Sequence, residues 1–385
     1  MLMDGVPLLY EVPPILHQLR AVGVEMHYHP TRKYLRCLVI FFTFLFFMLL
    51  VYIPMFHSVR SRDDPVHAVS IAGWAHNRSR DLRLYVLPDN ATAIIAQPDL
   101  CGQQLFLLIV VCSAVTNFEA RAAIRETWAS VASTSNNNTK TVKVAFLLGD
   151  PDNSTLQEQV EEESIRHGDV IQEGFIDSYN NLTLKTVMML KWVHSYCTSA
   201  HFIMKTDDDM FVNINNLIKL LKVKGGPGLL LGTLICGAKP ILDANSKWYS
   251  PRYMYAGRVY PNYVSGTGYV MAADVAQNLY RVALRTPLFH LEDVYLTGVC
   301  ARKAGIRPRD YPGFTYGHRR MDPCVLNEPS VITSHRVDMT EMRKVWTRMH
   351  SPSLDCTAFA ASQKPTSKAS GKKVVSVRRP GNRCV

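Results

Sequence analysis

The stretch "HFIMKTDDDMFVNINN", His201 to Asn216, sets three carboxylates side by side directly after an apolar run of strand character. Adjacent like charges repel, so a folded chain either solvates them at a turn or turns them toward a cation. The flanking "FIM" and "MFV" wall Asp207, Asp208 and Asp209 with apolar chain, which argues against a plain solvated tip. An EF-hand loop starting at Asp207 needs Gly at its sixth position and Glu at its twelfth, where this chain has Val212 and Ile218. What remains is an oxygen-ligand site for Mg²⁺ or Mn²⁺ with coordination positions open to a ligand's phosphates. No GxxxxGK[ST] loop is present, so nucleotide binding in the P-loop manner is excluded. A nucleotide-sugar is the natural remaining ligand, because its diphosphate leaving group needs a cation as the bond breaks.

Outward from that stretch, strand and helix patterns alternate. "LFLLIVVCSA", "TVKVAFLLGD", "DVIQEGF", "HFIMKT" and "GLLLGTLIC" read as five strands. Between them lie four helices. "TNFEARAAIRETWASV" opens on a capping box of Thr116 and Glu119, and "STLQEQVEEESIRH" on a Ser-x-x-Gln signal. "LTLKTVMMLKWVHSYC" carries an apolar stripe, and "NINNLIKLLKV" follows the acidic cluster. This alternation predicts an α/β fold with a mostly parallel sheet covered on both faces, whose ligands bind at the carboxyl ends of the strands. The triple Asp stands at one such end. Downstream, Glu292 and Asp293 in "PLFHLEDVYLTGVC" fit a helix N-terminus, where acids complement the dipole. Their apolar flanks fit equally a recessed carboxylate suited to proton abstraction. "SGTGYV", Ser265 to Val270, reads as a tight glycine turn that lets backbone approach a ligand.

Near the start, "CLVIFFTFLFFMLLVYI" (Cys37 to Ile53) is 17 residues with Thr43 as its one polar side chain. Extended through Phe56, it reaches the roughly 20 residues of a spanning helix. Arg20, Arg32, Lys33 and Arg36 precede it, while Arg60 and Arg62 follow beside Asp63 and Asp64, so the positive-inside rule places the N-terminus in the cytosol. Sequons at Asn77, Asn90, Asn137, Asn153 and Asn181, and eight of nine cysteines, lie after this anchor, as a lumenal domain requires. The net charge of +11 is a tail effect: residues 357–385 hold seven Lys or Arg and no acid, leaving +4 for the rest. A nucleic-acid binder is therefore not indicated, and no CxxC pair or HxxxH pattern suggests structural zinc. The resulting organisation is a cytosolic segment (1–36), a transmembrane signal anchor (37–56), a lumenal stem (57–100), a catalytic domain (101–356) and a basic tail of disordered composition (357–385).

"RAAIRETW" (Arg121 to Trp128), "FIDSYNNLTLKT" (Phe175 to Thr186), "MKTDDDMFVN", "KWYSPRYMY" (Lys247 to Tyr255), "YPNYVSGTGYVM" (Tyr260 to Met271) and "LEDVYLTGVC" occur in that order. Together they resemble the β-1,3-galactosyltransferase family of Golgi type II enzymes, from about Leu105 to Cys356. The resemblance implies a GT-A fold, a UDP-sugar donor, Mn²⁺ (or Mg²⁺) and a single displacement that inverts the anomeric carbon. It makes Asp207, Asp209 and His335 the metal set, with Asp209 the direct ligand and Asp207 nearer the ribose or metal-bound water. It makes Asp293 the base. Arg121, Arg125, Trp128 and Asp208 are placed at the donor pocket, and Gly266, Gly268 and Glu292 at the sugar and acceptor. For Arg121 a salt-bridged helix surface is the competing reading. Trp248 and Tyr263 either stack on sugar faces or pack in the core. Gly174 departs from the family, which has Asp there, and this removes a carboxylate expected near the donor. The resemblance also pairs Cys101 with Cys197, Cys236 with Cys300 and Cys324 with Cys356. The implied activity is transfer of galactose from UDP-galactose to a glycan acceptor in β-1,3 linkage. An N-acetylglucosaminyl or N-acetylgalactosaminyl transferase of the same family, or a silent membrane-anchored glycan-binding protein, are the alternatives.

Overall fold

The computed structural model describes residues 31–60, 69–132, 142–357 and 384. Its chain falls into two units, divided between Val66 and His67. The first contains helix α1 (Thr31–Arg60). Within it, Tyr34–Ile53 is a 20-residue span of mean hydropathy 2.5. It is long and apolar enough to cross a membrane, and Thr43 returns its hydroxyl to the carbonyls of Val39 and Ile40. A spanning helix must satisfy its polar groups internally in this way.

In the second unit, α2 (Arg83–Val86) and β1 (Ala93–Ile95) precede β2 (Leu105–Cys112). There follow α3 (Phe118–Glu126), β3 (Val142–Asp150), α4 (Ser154–His167), β4 (Val170–Ile176), α5 (Leu182–Tyr196) and β5 (Ala200–Asp207). After the acidic turn come β6 (Met210–Val212), α6 (Ile214–Lys224), β7 (Leu230–Ile235), β8 (Tyr263–Ala272) and α7 (Ala273–Ala283). The chain then forms a helical segment of wider pitch at Val294–Cys300, α8 (Ala301–Lys303), β9 (Arg309–Asp310), α9 (Pro323–Leu326), β10 (Thr333–His335) and α10 (Met339–Met349). Among the described residues the main sheet has the order β1-β4-β3-β2-β5-β8-β7-β9, and β6 pairs with β10 apart from it. Strands β4, β3, β2 and β5 run parallel; β1 and β8 run against their neighbours. The mostly parallel α/β sheet expected from the alternation is present.

Every residue of β2 is buried, because both faces of the sheet are covered. Leu108 and Val110 join the core under α5 and α7, while Ile109 and Val111 join the one under α3, α6 and α10. The apolar stripe of α5 predicts one buried face, yet Thr183 through Val193 are all buried: the helix is enclosed on every side.

Several local expectations change. Asn117, not Thr116, precedes α3, and its side chain makes no cap bond; its amide goes to Asp208 instead. Asn153 caps α4 by accepting from the Leu156 N–H, one residue before the expected Ser154. "SGTGYV" is no turn. It lies inside β8, where Gly268–Val270 pair with β5 and Tyr269–Val270 with β7, and the register with β7 shifts beside it, between Gly232 and Leu234.

The stem reading of 57–100 fails for 69–100. Ile71, Trp74, Leu82 and Val86 are buried in the core, and β1 extends the sheet. Arg80 donates to the carbonyls of Met254 and Leu288, and Lys191 on α5 donates to those of Val86, Leu87 and Asn90. Of the disulfides, Cys101–Cys197 and Cys324–Cys356 are formed. Cys236 pairs with Cys384, not with Cys300. Cys300 is wholly buried beside Tyr295 and Thr286, where burial pushes its thiol up to about 12. Apart from Cys384 and Thr357, the basic tail lies outside the described residues, as does the segment 1–30.

Candidate active site

The carboxyl ends of β2 and β5 lie side by side, Cys112 opposite Asp207. Strand β5 ends at Asp207, and Asp208 and Asp209 form the turn into β6. The three carboxylates leave that turn in three directions, which is how one short segment holds three negative charges.

Asp207 is on the same face of β5 as Lys205, two residues back. The buried Lys205 ammonium is 2.5 Å from Asp207 Oδ1 and donates to the Gly266 carbonyl at 2.6 Å. Burial pushes the Asp207 carboxyl upward, against the opposing pull of Lys205. Asp208 accepts from the Ser113 hydroxyl at 2.6 Å and from Asn117 at 2.8 Å, and so pins the loop that leaves β2. Asp209 meets His335: Oδ2 and Nε2 are 3.2 Å apart. That meeting is set by strand pairing, because His335 of β10 lies opposite Met210 of β6. The Nδ1 of His335 is 2.7 Å from the Tyr316 carbonyl. A carbonyl and a carboxylate can only accept, so in this arrangement both ring nitrogens carry protons, Nδ1 donating to Tyr316 and Nε2 to Asp209. Burial opposes charge on the ring, but the bond to Asp209 and its charge outweigh this and hold His335 above its usual range.

Asp207, Asp208, Asp209 and His335 line one open cleft of about 520 Å³. That is within the roughly 300–1,000 Å³ of small-molecule sites. Ser113, Asp177, Tyr179, Lys185 and Lys247 also line it, and sequence reasoning singled out none of them. Lys185 is clamped by both oxygens of Asp177 at 2.9 Å and by the Ser113 carbonyl. Asp177, Tyr179 and Lys185 lie within "FIDSYNNLTLKT", and Lys205 within "MKTDDD". The signal for Lys205 was its period-2 spacing from Asp207.

The second acidic pair is built on β8. Asp293 is half-buried; its Oδ2 accepts from the Gly266 N–H at 3.1 Å and its Oδ1 from the Val294 N–H at 2.8 Å. Burial raises its carboxyl, against these backbone bonds. Gly266 therefore holds Lys205 through its carbonyl and Asp293 through its amide. A bonded chain runs Asp207–Lys205–Gly266–Asp293. A Cβ on Gly266 would sit 3.0 Å from Glu292 Oε2 and 3.2 Å from the Asp293 Cβ, so a side chain here would press on both acids; close approach, not turn geometry, favours this glycine. At Gly268 the same atom would meet only ordinary contacts of 3.5 Å or more.

Other sequence candidates are positioned elsewhere. Glu292 turns inward: it is buried, accepts from the Tyr269 hydroxyl at 2.6 Å and stands 3.7 Å from Lys205. It does not line the cleft, and burial pushes it up to about 7. Arg121 is fully buried, pairing with Glu163 and donating to the Ala114 and Val115 carbonyls. Arg125 pairs with Glu163 and Asp169, and Trp128 is buried with its indole N–H on the Met210 carbonyl. None of the three lines the cleft; Arg121 reaches its wall through the Ala114 and Val115 carbonyls. Trp248 is half-exposed beside Lys247, and Tyr263 begins β8 edge-on to Tyr260. Gly174 is on β4 with its N–H on the Thr92 carbonyl and does not line the cleft, so the missing carboxylate is not one of the cleft's.

A family model described as galactosyltransferase matches residues 119–312. β-1,3-Galactosyltransferase 1 of Mus musculus and of Homo sapiens is 44% identical over 270 residues, 69% of this chain and 80% of each relative. β-1,3-Galactosyltransferase 2 of Homo sapiens is 37% identical over 278 residues, 70% of this chain and 65% of the relative. Among solved structures, a glycosyltransferase involved in glycosylation of the PBCV-1 major capsid aligns over 63% of this chain and 98% of its own, at 12% identity and a TM-score of 0.31.

Proposed function

The chain belongs to the galactosyltransferase family, and from that premise we propose that it transfers galactose from UDP-galactose to a glycan acceptor. The linkage made is β-1,3, with inversion at the anomeric carbon. Its α1 helix serves as a Golgi signal anchor with the second unit lumenal. The observation that carries the reading is the bonded chain from Asp207 through Lys205 and Gly266 to Asp293. It joins an acidic, cation-seeking cleft to a separate recessed carboxylate.

Asp209 and His335 would supply two of the ligands Mn²⁺ needs; no group of three or more His, Cys, Asp or Glu placed to hold a metal ion occurs among the described residues, so the donor's phosphates would have to complete the shell. Asp209 offers a carboxylate oxygen and His335 an imidazole nitrogen, and the bond from Nδ1 to the Tyr316 carbonyl orients that ring as second-shell partners orient ligating histidines. Asp207, tied to Lys205, would serve the ribose side of the donor. Bound there, the cation supplies charge neutralisation to the departing diphosphate. Asp293 takes the proton of the acceptor hydroxyl. The acceptor oxygen attacks the anomeric carbon, the bond to UDP breaks, and UDP leaves with the electron pair. The N–H groups of Gly266 and Val294 hold the carboxylate in one orientation, so little reorganisation is needed at the moment of transfer.

The test uses full-length protein in detergent micelles with UDP-galactose, UDP-N-acetylglucosamine and UDP-N-acetylgalactosamine, against a panel of sugar acceptors. Galactose transfer that stops on EDTA treatment and returns with Mn²⁺ is expected. Preference for an N-acetylhexosamine donor overturns the donor assignment, and EDTA-resistant transfer overturns the metal assignment.

A further inference from the structure

Four carboxylates line the cleft: Asp177, Asp207, Asp208 and Asp209. A nucleoside diphosphate is itself an anion, so binding it there demands positive charge close by. Two ammonium groups line the same cleft. Lys185 is committed, held by both oxygens of Asp177 and the Ser113 carbonyl. Lys247 is not. Among the described residues it has no carboxylate partner, and its ammonium lies over two rings, 4.7 Å from Trp248 and 5.9 Å from Tyr179.

The loop on either side of it, by contrast, is pinned. Ile241 bridges to Tyr249, the Ser250 N–H donates to the Ile241 carbonyl at 2.7 Å, and the Trp248 N–H donates to the Ser246 hydroxyl. The chain thus carries a long, flexible cationic side chain on a fixed support at the cleft wall. A cation resting on aromatic faces is held more weakly than one bonded to a phosphate oxygen.

We propose that Lys247 is a catalytic residue whose ammonium leaves the Trp248 and Tyr179 rings to bind the donor's diphosphate. This rests on the nucleotide-sugar reading above and adds a residue to it. The ammonium donates to the phosphate oxygens as the bond to the anomeric carbon breaks, and UDP departs carrying that electron pair. Vacating the rings also exposes the faces of Trp248 and Tyr179 beside the transferring sugar.

The test compares binding of UDP, UMP and uridine to full-length wild type, Lys247→Met and Lys247→Arg at fixed Mn²⁺, by calorimetry in detergent. Lys247→Met is expected to lose about tenfold in affinity for UDP, less for UMP and nothing for uridine. Lys247→Arg is expected to stay within about threefold for all three, because it keeps the charge. In turnover, kcat of Lys247→Met falls as well as its donor affinity. UDP affinity unchanged in Lys247→Met overturns the proposal, as does an equal loss for uridine, which marks a collapsed loop and not a lost charge. Wild type that binds no UDP refutes the nucleotide-sugar reading itself, and Lys247's role with it.

Discussion

Asp293 and Glu292 are neighbours in sequence with opposite surroundings. Asp293 is half-buried on two backbone N–H groups; Glu292 is buried against Tyr269 and Lys205. Asp293→Asn keeps the shape and removes the basicity. Transfer should fall by about 10²–10⁴, with UDP-galactose affinity nearly unchanged. Near-normal turnover in steady-state assays, or lost donor binding, removes Asp293 from the role of base. For Glu292 the readout is stability. Its folded-state value of about 7 lies above the ordinary carboxyl value, so the fold prefers the protonated form. That contribution is fully present below the ordinary value and is lost as pH rises through about 7. Glu292→Gln mimics the protonated acid, so it should melt with wild type near pH 5 and several degrees above it at pH 8. Equal melting temperatures at both pH values contradict the burial argument.

At the scale of elements, β8 carries most of the local design. A strand interior with two glycines is weak by itself. It persists because β5 and β7 pair with it on both edges and because the segment from Glu292 onward packs against it. Gly266→Ala pushes a methyl into Glu292 and Asp293 and should cost about 1–3 kcal/mol, with transfer reduced well below wild type. Gly268→Ala meets only ordinary contacts and should be tolerated. Thermal melts and transfer assays on the two variants decide it: the prediction fails if Gly268→Ala is the more damaged. Behind the cleft, Arg121 is a fully buried cation that ties the loop after β2 to Glu163 on α4. Arg125, four residues on along α3, pairs with the same Glu163 and with Asp169, and neither arginine lines the cleft.

At the scale of the molecule, the globular unit begins well before the alternating pattern does. Trp74 donates its indole N–H to the Asn180 carbonyl and the Asn181 side chain, at the entrance to α5 and next to cleft-lining Tyr179. Ile71, Leu82 and Val86 fill the core beneath α5 and α7. A chain beginning at residue 69 should therefore fold and bind UDP, whereas one beginning at residue 101 should expose that core and aggregate. Soluble yield and a cooperative melt for the 101 version, equal to the 69 version, would refute this. The Cys236–Cys384 bond joins the end of β7 to the last residues of the chain.

The sequence by itself determined what local pattern can determine. Strand and helix alternation predicted the five strands from Leu105 to Ile235 and the helices between them. A long uniform apolar run predicted α1, and the acidic triplet at a strand end marked the cleft. These are short-range signals: hydrophobic period, charge density and position along one element. Tertiary structure decided what depends on which segments meet. Strand β6 had to pair with β10 before His335 could face Asp209, some 126 residues earlier in the numbering. β5 and β8 had to pair before Lys205 and Gly266 could connect Asp207 to Asp293. Glu292 and Asp293 have the same composition-level signature, and only packing against β8 sends one inward. The stem residues had no period to read, because a segment laid across a finished core is ordered by that core's side chains and not by its own.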